Sequence, residues 1–151
     1  MKIAFYKGRT RLFDRLVQWW TRSPYSHCEI VFDSHPVEAG TLCASSSKLD
    51  GGVRFKIIEL KPERWDIIDL PLSDENAAFD WFLLHSGEGY DVLGLLGFVL
   101  PIVDRSNKWF CSEACAQALG FTESWRYSPA ILHSAISRHT FLTQQTISEE
   151  D

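Results

Sequence analysis

The chain has 151 residues, 45 % hydrophobic and 23 % charged, a balance that excludes disordered and low-complexity classes. A single domain of this length buries about 70 % of the surface its unfolded chain exposes, so it needs no disulfide staples. Lys plus Arg number 15 against 20 Asp plus Glu, and the net charge of −5 offers no general attraction to nucleic acid.

The N-terminus is charged again within a few residues, at Lys7, so a secretory h-region is not expected. The longest apolar run, Val92 to Val103, is interrupted by Pro101. It falls short of the roughly 20 residues that span a bilayer. The expectation is a chain without a transmembrane segment, cytoplasmic by default, whose four cysteines are free thiols.

In chain order, residues 2–6 read as a strand closed by Gly8. Leu12, Phe13, Leu16, Val17 and Trp20 recur at helical spacing and predict an amphipathic helix over 11–22. Ser23-Pro24-Tyr25-Ser26 breaks it. Strands are then expected near 27–33, 41–46, 53–59 and 64–70, separated by turn residues and paired antiparallel because no helix intervenes. After Pro71 the pattern turns helical. Ser73 is the expected N-cap, with Asp74 and Glu75 in the first turn and Phe79, Phe82 and Leu83 as the buried stripe. Asp91 is expected to cap an apolar helix running to about Leu100. A short helix follows over Ser112–Leu119, and a last one starts at Ser128-Pro129. The polar residues Thr143 to Asp151 read as a tail after a single domain spanning 1–142. This order predicts an α+β domain.

Two segments carry chemistry. In Ser26-His27-Cys28-Glu29-Ile30-Val31-Phe32 a histidine opens a strand. In Trp109-Phe110-Cys111-Ser112-Glu113-Ala114-Cys115 a cysteine stands at a helix start. Thiolate is the reactive form of cysteine, and both a helix N-terminus and a nearby imidazolium stabilise it. Sequence distance alone does not bring the two together.

Ser26-His27 on a strand, Gly51-Gly52-Val53 before a later strand, Tyr90-Asp91…Gly94…Gly97 opening an apolar helix and Phe110-Cys111-Ser112-Glu113 form an ordered set. That set resembles the circularly permuted papain-like cysteine hydrolases of the NlpC-like superfamily, in the YiiX-like branch related to lecithin retinol acyltransferase. The resemblance runs from about Lys2 to Leu132. It implies a small antiparallel sheet packed against helices, with the histidine on its first strand and the nucleophilic cysteine opening a helix. It also implies acyl transfer on amide or thioester bonds of a small acyl-amide, peptide or lipid substrate, such as cell-wall peptides or lipid-linked acyl groups, with no cofactor. Relatives carry a third polar residue on the strand after the histidine. Here that strand reads Thr41-Leu42-Cys43-Ala44-Ser45-Ser46-Ser47, without His, Asn, Gln or Glu.

The candidate catalytic residues are therefore Cys111 as nucleophile and His27 as its base. The group orienting the imidazole is Glu29, on the same strand face two residues on, or a serine of 45–47 such as Ser45, or else a backbone carbonyl or water. The expected oxyanion donors are the backbone N–H of Cys111 and the hydroxyl of Tyr6. Each has a plainer alternative. Cys111 can be an inert buried thiol, His27 a solvated strand end, and Glu113 a first-turn helix acid. Cys28 and Cys115 are expected to pack inward. His35, His85, His133 and His139 show no partner pattern. A zinc site from Cys28, Cys43, Cys111 and Cys115 with His27 matches none of the usual ligand spacings. A non-catalytic binding module using an aromatic-lined cleft is the second rival. Arg9, Arg11, Arg15 and Arg22 with Trp19 and Trp20 form a basic-aromatic patch, read as a solvated helix face rather than a nucleic-acid site. Contact with a membrane surface stays open.

Overall fold

The computed structural model describes residues 1–92 and 107–138. The expected helix running to Leu100, the glycines 94 and 97, His139 and the tail Thr143–Asp151 lie outside them. The chain opens with β1 (Lys2–Tyr6) and α1 (Leu12–Thr21), followed by β2 (His27–Val31), β3 (Thr41–Ser47), β4 (Gly52–Ile58) and β5 (Trp65–Asp69). Then come α2 (Glu75–Leu84), the short strands β6 (Gly89–Tyr90) and β7 (Lys108–Trp109), and α3 (Cys111–Ala118). A 3-10 turn at Ser124–Arg126 leads into α4, over 129–138. The architecture is α+β.

The strands form one sheet in the order β5-β1-β2-β3-β4-β6-β7. All pairings are antiparallel except β6 with β7. Side chains alternate between the two faces, and both faces are covered. Ile3, Phe5, Cys28, Ile30 and Phe32 join the main core with Phe82, Ala114 and Leu132. Ala4, Val31 and Cys43 form a smaller cluster beneath Ile58, Leu60 and Trp65. This explains why β1 and β2 read as nearly continuous apolar runs. Gly52 is required where β4 meets β6, because a Cβ there would lie 1.8 Å from the Glu88 carbonyl oxygen.

Three expectations are corrected. The cap of α2 is Asp74, not Ser73. Its carboxylate accepts the Ala77 N–H at 3.0 Å, whereas the Ser73 N–H is used by the Leu70 carbonyl. Leu83 is 59 % exposed, so the buried stripe of α2 is Ala78 and Phe82, with Phe79 half-buried. In α1, only Val17 and Gln18 are buried. Leu12, Leu16, Trp19 and Trp20 face outward. Gln18 takes the inward position because its amide donates to the carbonyls of Gly8 (3.0 Å) and Pro24 (2.7 Å), pinning both ends of the α1 segment.

Candidate active site

β2 pairs with β1 along its whole length but with β3 only through Ile30↔Ala44 and Val31↔Cys43. The strands therefore part toward His27 and leave backbone groups without a ladder partner. The N-terminus of α3 fills that gap. Its first residue is Cys111, with Phe110 as N-cap in extended conformation, and the Phe110 N–H donates to the Glu113 carboxylate at 3.2 Å. The Cys111 sulfur lies close to the Cys28 backbone N–H, the Cys28 thiol and the His27 imidazole, and all three favour its thiolate. One turn along, the Cys115 thiol donates to the Cys28 carbonyl at 3.8 Å.

Two serines hold the helix start in place. The Ser46 hydroxyl donates to the Trp109 carbonyl at 2.7 Å, and the Ser112 hydroxyl to the Tyr127 carbonyl at 2.5 Å. All the side chains buried along α3 are small, which lets the helix sit this close to the strands.

On the opposite side of the imidazole, His27 Nε2 lies 2.7 Å from Glu29 Oε1. Glu29 is buried, and a buried carboxylate needs compensation. Arg54 on β4 supplies it, donating from Nη1 to Oε2 at 2.7 Å and from Nη2 to Oε1 at 2.6 Å. Asp50 in turn accepts from Arg54 Nε (2.9 Å) and Lys56 Nζ (2.8 Å). The chain of contacts is Cys111–His27–Glu29–Arg54–Asp50.

The charge states follow from these neighbours. Burial works against the His27 imidazolium, but the Cys111 thiolate and the Glu29 carboxylate outweigh it and raise its pKa to about 10. Burial likewise opposes the Cys111 thiolate, yet hydrogen bonds from Cys28 and the charge of His27 bring it down to about 5. Burial would raise the Glu29 pKa as well, but His27 and Arg54 hold the carboxyl below its usual range. The neighbouring thiols move the other way. Burial pushes Cys28 well up and Cys43 up to about 12.

His27 and Glu29 open onto a cleft of about 480 Å³, within the range of small-ligand sites. Tyr6, Trp65 and Tyr90 give it aromatic walls, while Arg54 and Arg64 bring positive charge. The buried Ser26 hydroxyl faces it without a hydrogen-bond partner among the described residues. Cys111 itself is fully buried, whereas the His27 side chain is 21 % exposed.

Of the residues named from sequence, Cys111, His27 and Glu29 are brought together. Ser45 is not part of the imidazole's surroundings. Its hydroxyl donates to the Ser46 carbonyl at 3.4 Å and lies 3.9 Å from the Cys115 sulfur. The Tyr6 hydroxyl shares a hydrogen bond with Thr10 at 3.2 Å and lines the cleft. Cys28 and Cys115 are buried beside Cys111, while Cys43 belongs to the cluster on the other face. Among the described residues no group of three His, Cys, Asp or Glu side chains is arranged to hold a metal ion. Sequence reasoning missed Arg54, which reaches Glu29 across an intervening strand. It also missed Tyr90, whose hydroxyl is pushed up by burial and by the charges of Cys111 and Cys28. The signal available for the first was the alternation of Arg54 and Lys56 with Val53, Phe55 and Ile57 along the strand Gly52–Ile58, which puts both cations on one face. The chain matches no protein-family model and no curated protein sequence.

Proposed function

We propose that this protein is a cysteine hydrolase of the circularly permuted papain-like type, acting through an acyl-enzyme on amide or thioester bonds. The observation that carries the reading is the paired Cys111 and His27, with the imidazole anchored from behind by Glu29. A helix opening on the cysteine and packed against the histidine strand supports the fold assignment.

Nε2 of His27 is committed to Glu29, so the second ring nitrogen serves the sulfur. The thiolate attacks the carbonyl carbon and forms a C–S bond, and the carbonyl electron pair moves to oxygen. The first-turn N–H groups of α3 have no intrahelical acceptor and present positive dipole ends to that oxyanion. Tyr90, which lines the cleft and packs its ring 5.6 Å from that of Phe110, next to Cys111, offers a hydroxyl donor in place of Tyr6, which is engaged with Thr10. When the carbonyl reforms, the bond to the leaving amine or thiol breaks and the imidazolium supplies its proton. Neutral His27 then deprotonates water, which attacks the thioester. The C–S bond breaks, releasing the acid and restoring the ion pair. Ser26 offers its unpartnered hydroxyl to the substrate in the cleft.

The test is intact-mass detection of an acyl adduct during turnover of small thioester, acyl-amide and muropeptide panels. The expected result is an adduct on wild type, lost in Cys111→Ala and strongly reduced in His27→Ala. In the absence of substrate, Cys111 is expected to alkylate with iodoacetamide much faster than Cys28, Cys43 or Cys115. Uniformly slow alkylation with no adduct overturns the proposal. That outcome would favour a non-catalytic binding module, a reading whose one specific support is the complete burial of Cys111.

A further inference from the structure

We propose that the outward face of α1 is a docking surface for an anionic lipid bilayer. A helix turns 3.6 residues per turn, so Leu12, Leu16 and Trp19 stack on one stripe, with Trp20 beside it. That stripe points directly away from the buried Val17 and Gln18. Leu12 is 82 % exposed and Trp19 71 %, with Leu16 also open to solvent. Large apolar side chains gathered on one exposed stripe mark an interaction surface, whereas scattered ones do not.

The charge pattern identifies the partner. Arg11, Arg15 and Arg22 fall four and seven residues apart, in a row along one flank of the stripe. All three are exposed, with no ion pair among the described residues. The only acidic residue in the helix, Asp14, is half-buried on the inner side. Four arginines between positions 9 and 22 against one acid make a cationic band on a chain whose net charge is −5. Leucine and tryptophan on one side with an arginine row beside them is the composition of a helix that lies in the plane of a bilayer surface. There the indoles occupy the headgroup region and the arginines meet anionic lipid. Among the described residues no helix is long and apolar enough to cross a membrane.

The same helix borders the cleft. Arg11, Phe13 and Asp14 are among the cleft-lining residues, so a bilayer seated on α1 lies next to the cleft mouth.

The experiment is cosedimentation with vesicles of phosphatidylcholine alone and of phosphatidylcholine mixed with phosphatidylglycerol, repeated at raised salt. Wild type is expected to bind the anionic vesicles and not the neutral ones, and to release as salt screens the arginines. The double variant Leu12→Glu/Trp19→Glu is expected to lose binding at least tenfold. Arg15→Gln/Arg22→Gln should lose about twenty-fivefold, from roughly fivefold per arginine. Both variants alter exposed side chains outside the cleft, so hydrolysis of a short soluble thioester should be unchanged. Equal binding to neutral vesicles, or none to either, overturns the proposal. So does a self-association in solution that Leu12→Glu/Trp19→Glu abolishes, or an RNA affinity that anionic vesicles do not compete away. If wild type fails on the soluble thioester, the hydrolase reading falls, while the vesicle result still judges the docking surface.

Discussion

Helices α1 and α3 both lie against the domain, but they spend their apolar side chains in opposite directions. α3 buries Cys111, Ser112, Ala114, Cys115 and Ala116, none larger than a cysteine. α1 carries two leucines and two tryptophans and turns them to solvent, burying Val17 and a glutamine. The difference follows from what each helix must approach. α3 has to enter the gap between β2 and β3 so that Cys111 can meet Cys28 and His27, and only small side chains allow that approach. α1 is held at its ends through Gln18 and its neighbours, which leaves its bulkiest stripe free. Periodicity reports that a stripe exists; side-chain size and the available polar anchors decide which way it faces.

The strongest way to break the α3 site is to remove Arg54. Arg54→Met leaves the Glu29 carboxylate buried with half its partners gone. Losing one member of a buried pair costs about 3–5 kcal/mol. Urea unfolding should register a loss of that order, and activity on a soluble thioester should fall at least a hundredfold. Arg54→Lys should restore part of the stability but not the two-pronged grip on Glu29. A stability loss below about 1 kcal/mol would mean that the Glu29–Arg54 contact is not maintained in solution.

Packing offers a direct contrast between the helices. Ala114→Leu adds three carbons where α3 meets the core and should cost about 1–3 kcal/mol by overpacking. Leu16→Ala on α1 removes three carbons from an exposed position and should change stability by less than about 0.5 kcal/mol. Matched denaturation midpoints for the two variants would contradict the assignment of inner and outer faces.

The ion pair at the head of α3 has a pH signature. Unfolded, Cys and His take their ordinary values of 9.0 and 6.5; folded, they stand at about 5 and about 10. Between pH 5 and 6.5 the unfolded pair binds two protons and the folded pair one, so stability rises with pH. Between 6.5 and 9 each state binds one proton and the contribution is flat. Above 9 the unfolded pair has lost both protons while His27 keeps its own, so stability falls toward pH 10. Wild type minus the double variant Cys111→Ser/His27→Gln, measured across pH, isolates this profile. A difference that climbs steadily through pH 6.5–9 would show that the folded pair holds no proton there, a thiolate beside a neutral imidazole. Alkylation of Cys111 should likewise level off above about pH 5 instead of rising through pH 8.

Much of this arrangement is legible in the residues themselves. The alternation in β2 puts His27 and Glu29 on one side and Cys28 and Ile30 on the other, and the small-residue run after Phe110 marks a helix able to pack tightly. Two features are not legible, for a shared reason. The incomplete β2–β3 pairing that admits the Cys111 sulfur, and the reach of Arg54 to Glu29, both depend on register between strands that local pattern does not specify. The outward turn of Leu12, Leu16 and Trp19 is hidden in the same way, because a hydrophobic stripe carries no label for core or partner.

Ser45 provides the finest test of that register. Ser45 follows Ala44, the last β3 residue paired with β2, and is itself paired with Arg54 on its other side. It therefore occupies the strand position that the guanidinium must cross to reach the carboxylate. Its value there is its small size, since its hydroxyl is directed to the Ser46 carbonyl and toward Cys115. Ser45→Ala should keep activity within about twofold, because only a weak neutral hydrogen bond is lost. Ser45→Leu should lower it more, by crowding Arg54 away from Glu29, and the pH profile of the ion pair should shift with it. Glu29→Gln, which keeps the shape but removes the charge, should weaken the imidazolium and lower the upper limb of the same profile. If Ser45→Ala proves as damaging as Glu29→Gln, the serine hydroxyl orients the imidazole after all, and the carboxylate–guanidinium pair is only a structural tie between β2 and β4.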